Sequence, residues 1–247
     1  MSTYPTGNLD LLQWLHLHGV YCSSTGADYA ARAGKLSVVK WLHLGFIRCS
    51  LDGVNGAAEC GHLDVVQWLH QQGIMCNEDG ADQAAEWGFI SVVQWLHQEG
   101  IRCTQVGVDA ACYNEFELVR WFERNGMYAS TAGANNAASQ DSVDILEFLH
   151  KRGIRCDTVG ADDAARNNCL QAVRFLQRQS SNRNHRCTSY GANAAASSGH
   201  LAMVQYLHES GTQCTVDGAR AAASRNHEDV VAYLYEQGIR VGWWEQW

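Results

Sequence analysis

Apolar residues fall along the chain in two alternating patterns. The first, as in Leu63-Asp64-Val65-Val66-Gln67-Trp68-Leu69, puts apolar side chains at i, i+2, i+3, i+5 and i+6. That stripe is wide enough for a helix buried between two neighbours. The second is a small-residue run, as in Gly80-Ala81-Asp82-Gln83-Ala84-Ala85, and predicts a helix whose partners approach closely. We term the small-residue helix A and the large-residue helix B.

Both patterns recur at a nearly fixed interval. Trp-Leu-His or a close relative begins at Trp14, Trp41, Trp68, Trp95, Trp121, Phe148, Phe175, Tyr206 and Tyr233, with steps of 27, 27, 27, 26, 27, 27, 31 and 27. A repeat array is the expected architecture. A typical unit runs from Cys76 to Arg102, and eight units cover residues 22–240. Gly7-Asn8-Leu9-Asp10-Leu11-Leu12-Gln13-Trp14 matches helix B, so a half unit, 7–21, precedes them. Residues 1–247 are thus read as one all-α solenoid domain with an aromatic tail, 241–247.

Local signals set the helix ends. After each Cys position stands Ser23, Ser50, Asn77, Thr104, Ser130, Asp157, Thr188 or Thr215, eight side chains able to cap a helix start. Helix A closes near Gly34, Gly61, Gly88 or Gly199 in the more regular units. Helix B closes at Gly19, Gly45, Gly73, Gly100, Gly126, Gly153, Gly211 and Gly238, where glycine suits a left-handed cap. In the Gly-Ile-Arg-Cys connector, alternation predicts Ile and Cys inward and the residue between them outward. Helix A carries Gly26, Gly53, Gly80, Gly107, Gly133, Gly160, Gly191 and Gly218 near its first turn. Each costs roughly 1 kcal/mol against alanine, and close packing of successive A helices would justify it. Small A faces and bulky B faces predict a curved row with the A helices on the concave side.

Gly61-His62-Leu63-Asp64-Val65-Val66-Gln67-Trp68-Leu69 resembles the second helix of an ankyrin repeat, and the preceding Ala-Ala-x-x-Gly is similar to the end of that family's first helix. The resemblance runs over essentially the whole chain. It departs in two ways. The unit is 27 residues long instead of about 33, and the Thr-Pro-Leu-His opening is replaced by motifs such as Asp79-Gly80-Ala81-Asp82. The missing residues fall where ankyrin repeats carry a β-hairpin finger, so short connectors are expected. The resemblance implies a binding solenoid without enzymatic activity.

Composition narrows the classes of function. Of 247 residues 46% are hydrophobic, and 18 Lys plus Arg against 26 Asp plus Glu give a net charge of −8. A negative body disfavours a phosphate backbone as the main partner, so no nucleic acid is expected. No apolar run approaches the roughly 18 residues of a membrane span, and Met1 to Asn8 lacks the pattern of a secretory signal. A soluble, intracellular or cytoplasmic protein that is not secreted follows. Ten cysteines, about 4% of the chain, fall below the roughly 8 to 10% of a disulfide scaffold, and free thiols are expected. One proline, Pro5, leaves the downstream helices unbroken.

His16, His43, His70, His97, His150 and His208 precede Cys22, Cys49, Cys76, Cys103, Cys156 and Cys214 by six residues. Both types ligate zinc, but equivalent sites in a solenoid lie about 10 Å apart, too far to close one tetrahedron. Buried cysteines with boundary histidines are expected, with no metal, no cofactor and no catalytic residue. Cys60, Cys112 and Cys169 break the period, and small fillers or reactive thiols would fit there. Asp28, Asn55, Asp82, Asp109, Asn135, Asp162 and Asn193 form a polar column, read as satisfying backbone amides of the adjoining connector rather than binding calcium.

Positions that vary between units remain for recognition. On helix A these include Tyr29, Arg32, Glu59, Gln83, Glu86, Trp87, Tyr113, Asn136, Asp163, Arg166 and Arg225, with aromatic and Arg types common in interface hot spots. Connectors add Tyr21, Arg48, Arg102, Tyr128, Arg155, Arg186 and Arg240, either a solvated edge or a strip reading an acidic segment. Arg178 to Arg186 replaces the usual connector with four extra residues, as a loop or a protruding contact. Trp243, Trp244 and Trp247 would fold back on the last repeat or dock a partner. Met1 to Thr6 would cover the first core face, unless the chain descends from a longer one. The expected protein is a monomeric scaffold binding a protein partner through Tyr29, Arg32, Arg48, Gln83, Glu86, Trp87, Arg102, Tyr113, Arg155, Asp163 and Arg166. A self-associating or structural solenoid is the alternative, and a Cys/His enzyme or metal protein a further rival.

Overall fold

The computed structural model describes residues 9–179 and 186–240. The readings placed on Met1 to Thr6, on the middle of the insertion and on the Trp tail lie outside these residues. The chain divides into two compact units between Ala111 and Cys112, each built by the same rule. In the first, α1 (Leu9–Leu17), α3 (Leu36–Leu44), α5 (Leu63–Gln71) and α7 (Ile90–Gln98) are B helices. Its A helices are α2 (Ser24–Arg32), α4 (Leu51–Glu59), α6 (Glu78–Glu86) and α8 (Gln105–Ala110). In the second, α9 (Phe116–Arg124), α11 (Val143–His150), α13 (Leu170–Gln179), α15 (Leu201–Glu209) and α17 (Glu228–Glu236) are B helices. The A helices are α10 (Thr131–Ser139), α12 (Thr158–Arg166), α14 (Ser189–Ser197) and α16 (Val216–Ser224). Among the described residues there is no strand, so the chain is an all-α, ankyrin-like array of helix pairs joined by short connectors.

The cap residues account for where the A helices begin. All eight predicted side chains accept a backbone N–H of the first turn, from Ser23 on Gly26 to Thr215 on Asp217. Asp157 accepts two, from Val159 at 2.9 Å and Gly160 at 3.3 Å. Capping of this kind contributes about 1 kcal/mol per helix, useful where nine residues are too few to be stable alone.

Successive A helices meet backbone to backbone. A Cβ added at Gly53 would sit 3.0 Å from the Asp28 Cα, and at Gly107 2.8 Å from the Asp82 Cα. Gly26, in the first A helix, would meet nothing closer than the Cys22 Cβ at 3.6 Å. The glycine is therefore demanded by a preceding A helix and not by the turn itself. The B helices touch one another less and are held off by larger residues. From α3 onward each buries a Val-Val-x-x-Leu triplet or its equivalent, such as Val65, Val66 and Leu69. Helix α1 buries none of its residues.

One expected terminator is displaced. Gly45 closes α3 with φ −81, and the left-handed conformation passes to Phe46, φ 65. Gly45 stands one residue early in its unit, so the C-cap geometry fell on the residue in register. The outward connector positions are exposed as expected at Arg48, Arg102 and Arg155. Between Arg48 and Arg102 lies Met75, also exposed, so the guanidinium groups there alternate with an apolar side chain and form no continuous strip.

Candidate functional site

The polar column couples each A helix to the cap of the next. Asp28 accepts the Ser50 N–H at 2.7 Å on Oδ1 and the Ser50 hydroxyl at 2.8 Å on Oδ2. Asp162 takes the Thr188 N–H and hydroxyl in the same way, each at 2.7 Å, and Asp82 does so with Thr104. Where the column carries Asn, the amide nitrogen donates instead. Asn55 Nδ2 reaches Asn77 Oδ1 at 2.7 Å, Asn135 Nδ2 reaches Asp157 Oδ1 at 3.0 Å, and Asn193 Nδ2 reaches Thr215 Oγ1 at 2.8 Å. A carboxylate thus faces a hydroxyl, and the one carboxylate cap in these six couples faces an amide. The column joins one repeat to the next.

The His and Cys positions are likewise occupied by packing. The rings of His43 and Trp68, of His70 and Trp95, and of His150 and Phe175 pack perpendicular to each other, with centroids 5.2, 5.2 and 5.7 Å apart. His208 Nε2 accepts the Cys214 N–H at 2.9 Å, and burial holds its pKa below the usual range. The Cys49, Cys103, Cys187 and Cys214 thiols donate to helix-A carbonyls of the unit before, at 3.1 to 3.3 Å. Burial pushes Cys49 up to about 11 and Cys76, Cys103, Cys187 and Cys214 up to about 12. At neutral pH these are thiols, whereas nucleophiles and metal ligands are thiolates. Cys169 is also buried and raised, donating to the Ser139 carbonyl at 3.1 Å, and Cys112 is fully buried. Among the described residues no group of three His, Cys, Asp or Glu side chains converges.

What remains is surface that the scaffold does not fix. In the first unit a groove of about 750 Å³ runs along the A helices, lined among others by Arg32, Asp52, Glu59, Asp79, Gln83 and Glu86. Arg32 is held by Glu59 at 2.6 Å. Asp52, Asp79 and Glu86 have no cation within ion-pair distance among the described residues, so the groove is acidic. It gathers Arg32, Gln83 and Glu86 of the predicted set. Tyr29, within α2, and Trp87, just after α6, are exposed but outside the lining, as are Arg48 and Arg102. Asp52 and Asp79 did not stand out in the sequence, because acidic residues in a first turn are explained by the helix dipole alone.

In the second unit Arg166 lies on a separate groove with Tyr190 and Arg225. It donates to Asp163 and to the Tyr190 hydroxyl, both at 2.9 Å. Tyr113 ends a 3-10 turn, Ala111–Tyr113, and its carbonyl accepts the Ser142 hydroxyl. Arg155 stands exposed on its connector, outside that groove. Within the first unit the groove gathers Arg32, Gln83 and Glu86, and within the second Asp163 and Arg166 are joined by an ion pair.

Helix pairs in a regular row, buried cysteines and exposed variable residues define the class: a helical repeat protein. No family model matches the chain, and no curated protein matches it. Among solved structures it is similar to the pentatricopeptide repeat protein PPR10 in complex with an 18-nt psaJ RNA element. That match has 12% identity and a TM-score of 0.46, over 94% of this chain and 41% of that one. PPR10 from maize gives 11% identity and a TM-score of 0.45, with coverage of 94% and 42%. The human ASB11 ankyrin repeat domain gives 14% identity and a TM-score of 0.39, over 76% of this chain and 84% of that one. The chain spans about two fifths of the length of the PPR10 structures. No helix among the described residues is long and apolar enough to cross a membrane.

Proposed function

We propose that the protein is a non-enzymatic scaffold that binds a protein partner through its A-helix face and connectors, with the repeats of residues 1–247 acting as one binding domain. The observation that carries this reading is the open groove along α2, α4, α6 and α8. Its lining combines positions that vary between units, such as Asp52, Asp79, Gln83 and Glu86, with the column and cap residues Asn55, Asp82 and Thr104 that join the repeats. A row of short helices with interlocked caps supplies a preformed surface, which lowers the ordering cost of association. Tyr29 and Trp87, both exposed, are amphipathic anchors of the kind that dominate interfaces. The negative lining formed with Asp52, Asp79 and Glu86 suits a partner segment that presents Lys or Arg. Packing employs the His and Cys positions, which supports the absence of turnover.

The test is partner capture by the full chain. Trp87→Ala combined with Tyr29→Ala and Glu86→Lys is expected to lose captured protein while helicity is retained. Replacing Arg102 and Tyr113 by Ala probes the connector and the second unit in the same assay. Undiminished capture by all of these folded variants would reject the proposed face.

A further inference from the structure

A different face carries charge of the opposite sign. At one half-buried and one exposed position of the B helix, α5 and α7 carry Gln67, Gln71, Gln94 and Gln98. The same positions hold Arg120 and Arg124 in α9, and Arg174 and Arg178 in α13. Arg120 is matched by Glu117 at 3.2 Å, and Arg152, just after α11, by Glu123. Arg124, Arg174 and Arg178 have no carboxylate within ion-pair distance among the described residues, and α13 contains two arginines and no acidic residue. Between α11 and α13 lies a groove of about 470 Å³ lined by Lys151, Arg174, Arg178 and His150 around Phe175. Glu147, 3.9 Å from Lys151, is the one carboxylate on that lining. In a chain of net charge −8, this is a local excess of cations that the fold does not consume.

We propose that the groove between α11 and α13 is a docking surface for an acidic segment of a partner protein. Arg174 and Arg178 are four residues apart on one helix and face the same way. Guanidinium forks at that spacing can each take a carboxylate in bidentate geometry. The Arg174 guanidinium is already placed 5.3 Å over the Tyr206 ring, which reduces the freedom lost on binding. The same aromatic residues argue against single-stranded nucleic acid, the other polyanion. Base recognition needs free ring faces. Here Arg152 covers Phe148 at 3.5 Å, Arg174 lies over Tyr206, and Phe175 packs perpendicular to the His150 ring. A peptide carboxylate needs no ring.

The probe is a short fluorescent peptide of Glu and Asp, titrated with the full chain and followed by anisotropy, beside a Gln/Asn peptide of the same length and an oligouridylate. The acidic peptide is expected to bind, to weaken as salt is raised, and to lose about tenfold or more in Arg174→Glu/Arg178→Glu. Trp87→Ala, on the other face, should leave it unchanged, so this inference and the proposed A-face function fail separately. If the charge reversal costs helicity, Arg174→Gln/Arg178→Gln replaces it, and a loss of several-fold is expected. Absence of binding to the acidic peptide, equal binding in the folded variants, or tighter binding of the oligouridylate would each overturn the proposal.

Discussion

Asn135→Asp tests whether charge matching in the polar column holds the repeats together. In the native couple the Asn135 Nδ2 donates to Asp157 Oδ1, and Asn135 Oδ1 accepts the Asp157 N–H, both at 3.0 Å. The substitution keeps the acceptor and turns the donor into a second carboxylate oxygen. A hydrogen bond to a charged group, worth about 1.5 to 3 kcal/mol, is lost. Two charges about 3 Å apart then repel, unless one carboxyl takes a proton. Proton uptake caps the penalty, because neutralising an aspartate at neutral pH costs about 4 kcal/mol, roughly 1.4 per pH unit above its usual pKa. The new hydrogen bond of the protonated pair returns part of that. The net destabilisation expected at neutral pH is about 2 to 4 kcal/mol. Asp157 is pinned by the first-turn amides of α12, so the proton goes to residue 135.

Two further measurements make the prediction refutable. The carboxyl at 135 has its folded-state pKa raised above its unfolded value. The penalty is therefore absent below about pH 4, grows as pH rises, and levels off above the raised pKa. Urea unfolding followed by circular dichroism at neutral pH and near pH 4 reads that difference. Rescue comes from Asp157→Thr. Asn facing Thr already occurs at Asn193 and Thr215, and Asp facing Thr at Asp82 and Thr104, so three corners of this double-mutant cycle are pairs the protein uses. A coupling energy of about 2 kcal/mol or more is expected. If Asn135→Asp costs less than about 0.5 kcal/mol, or if the double variant is as unstable as the sum of the singles, charge matching does not set these residues.

Three shorter predictions follow from the same geometry. Phe46→Gly should raise the unfolding midpoint, by about 1 kcal/mol, because a β-carbon is removed from a left-handed position whose ring is 90% exposed; a fall would mean that the ring packs on something. Gly107→Ala should destabilise by about 2 kcal/mol or more, since its Cβ would press on the Asp82 backbone, whereas Gly26→Ala should be neutral or stabilising by up to about 1 kcal/mol; equal effects in thermal melts would refute the close-approach account. In the native protein at mildly alkaline pH the Cys76, Cys103, Cys187 and Cys214 thiols should resist an aromatic disulfide reagent and react after denaturation, because burial keeps them protonated. Fast reaction of these four in the folded state would contradict the burial.

The period, the caps and the glycine of close approach were all legible in the sequence, because each reflects a local requirement. A Ser or Thr beside a helix start caps that helix whatever surrounds it, and a glycine repeated inside a helix signals a neighbour. The couple between Asp28 and Ser50 was half legible. The column was expected to satisfy connector amides, but the rule linking its Asp or Asn to the type of the next cap needs the distance between units. Gly45 misled because glycine outranks phenylalanine for a left-handed position, and one residue of register decided otherwise. The site was less legible than the fold. Glu86, Gln83 and Arg32 could be chosen as variable positions, but their union with Asp52 and Asp79 in one acidic groove depends on which helix faces align.

The interlocking of the scaffold also determines where specificity can reside. Asp28, Asn55, Asp82, Asn135, Asp162 and Asn193 are each bound to the following cap, and the four thiols that donate to helix-A carbonyls tie one unit to the one before it. These groups are committed to bonds between repeats, so the freedom to vary lies with the residues beside them. Those residues differ in sign from place to place: Asp52, Asp79 and Glu86 along one A-helix groove, Arg174 and Arg178 along one B-helix groove. Substitution at such positions shifts stability by up to about 1 kcal/mol, yet it can reverse the charge presented to a partner. A repeat of this design can therefore change what it binds without changing how it folds, and the two sets of variants proposed here should separate the two properties in one protein.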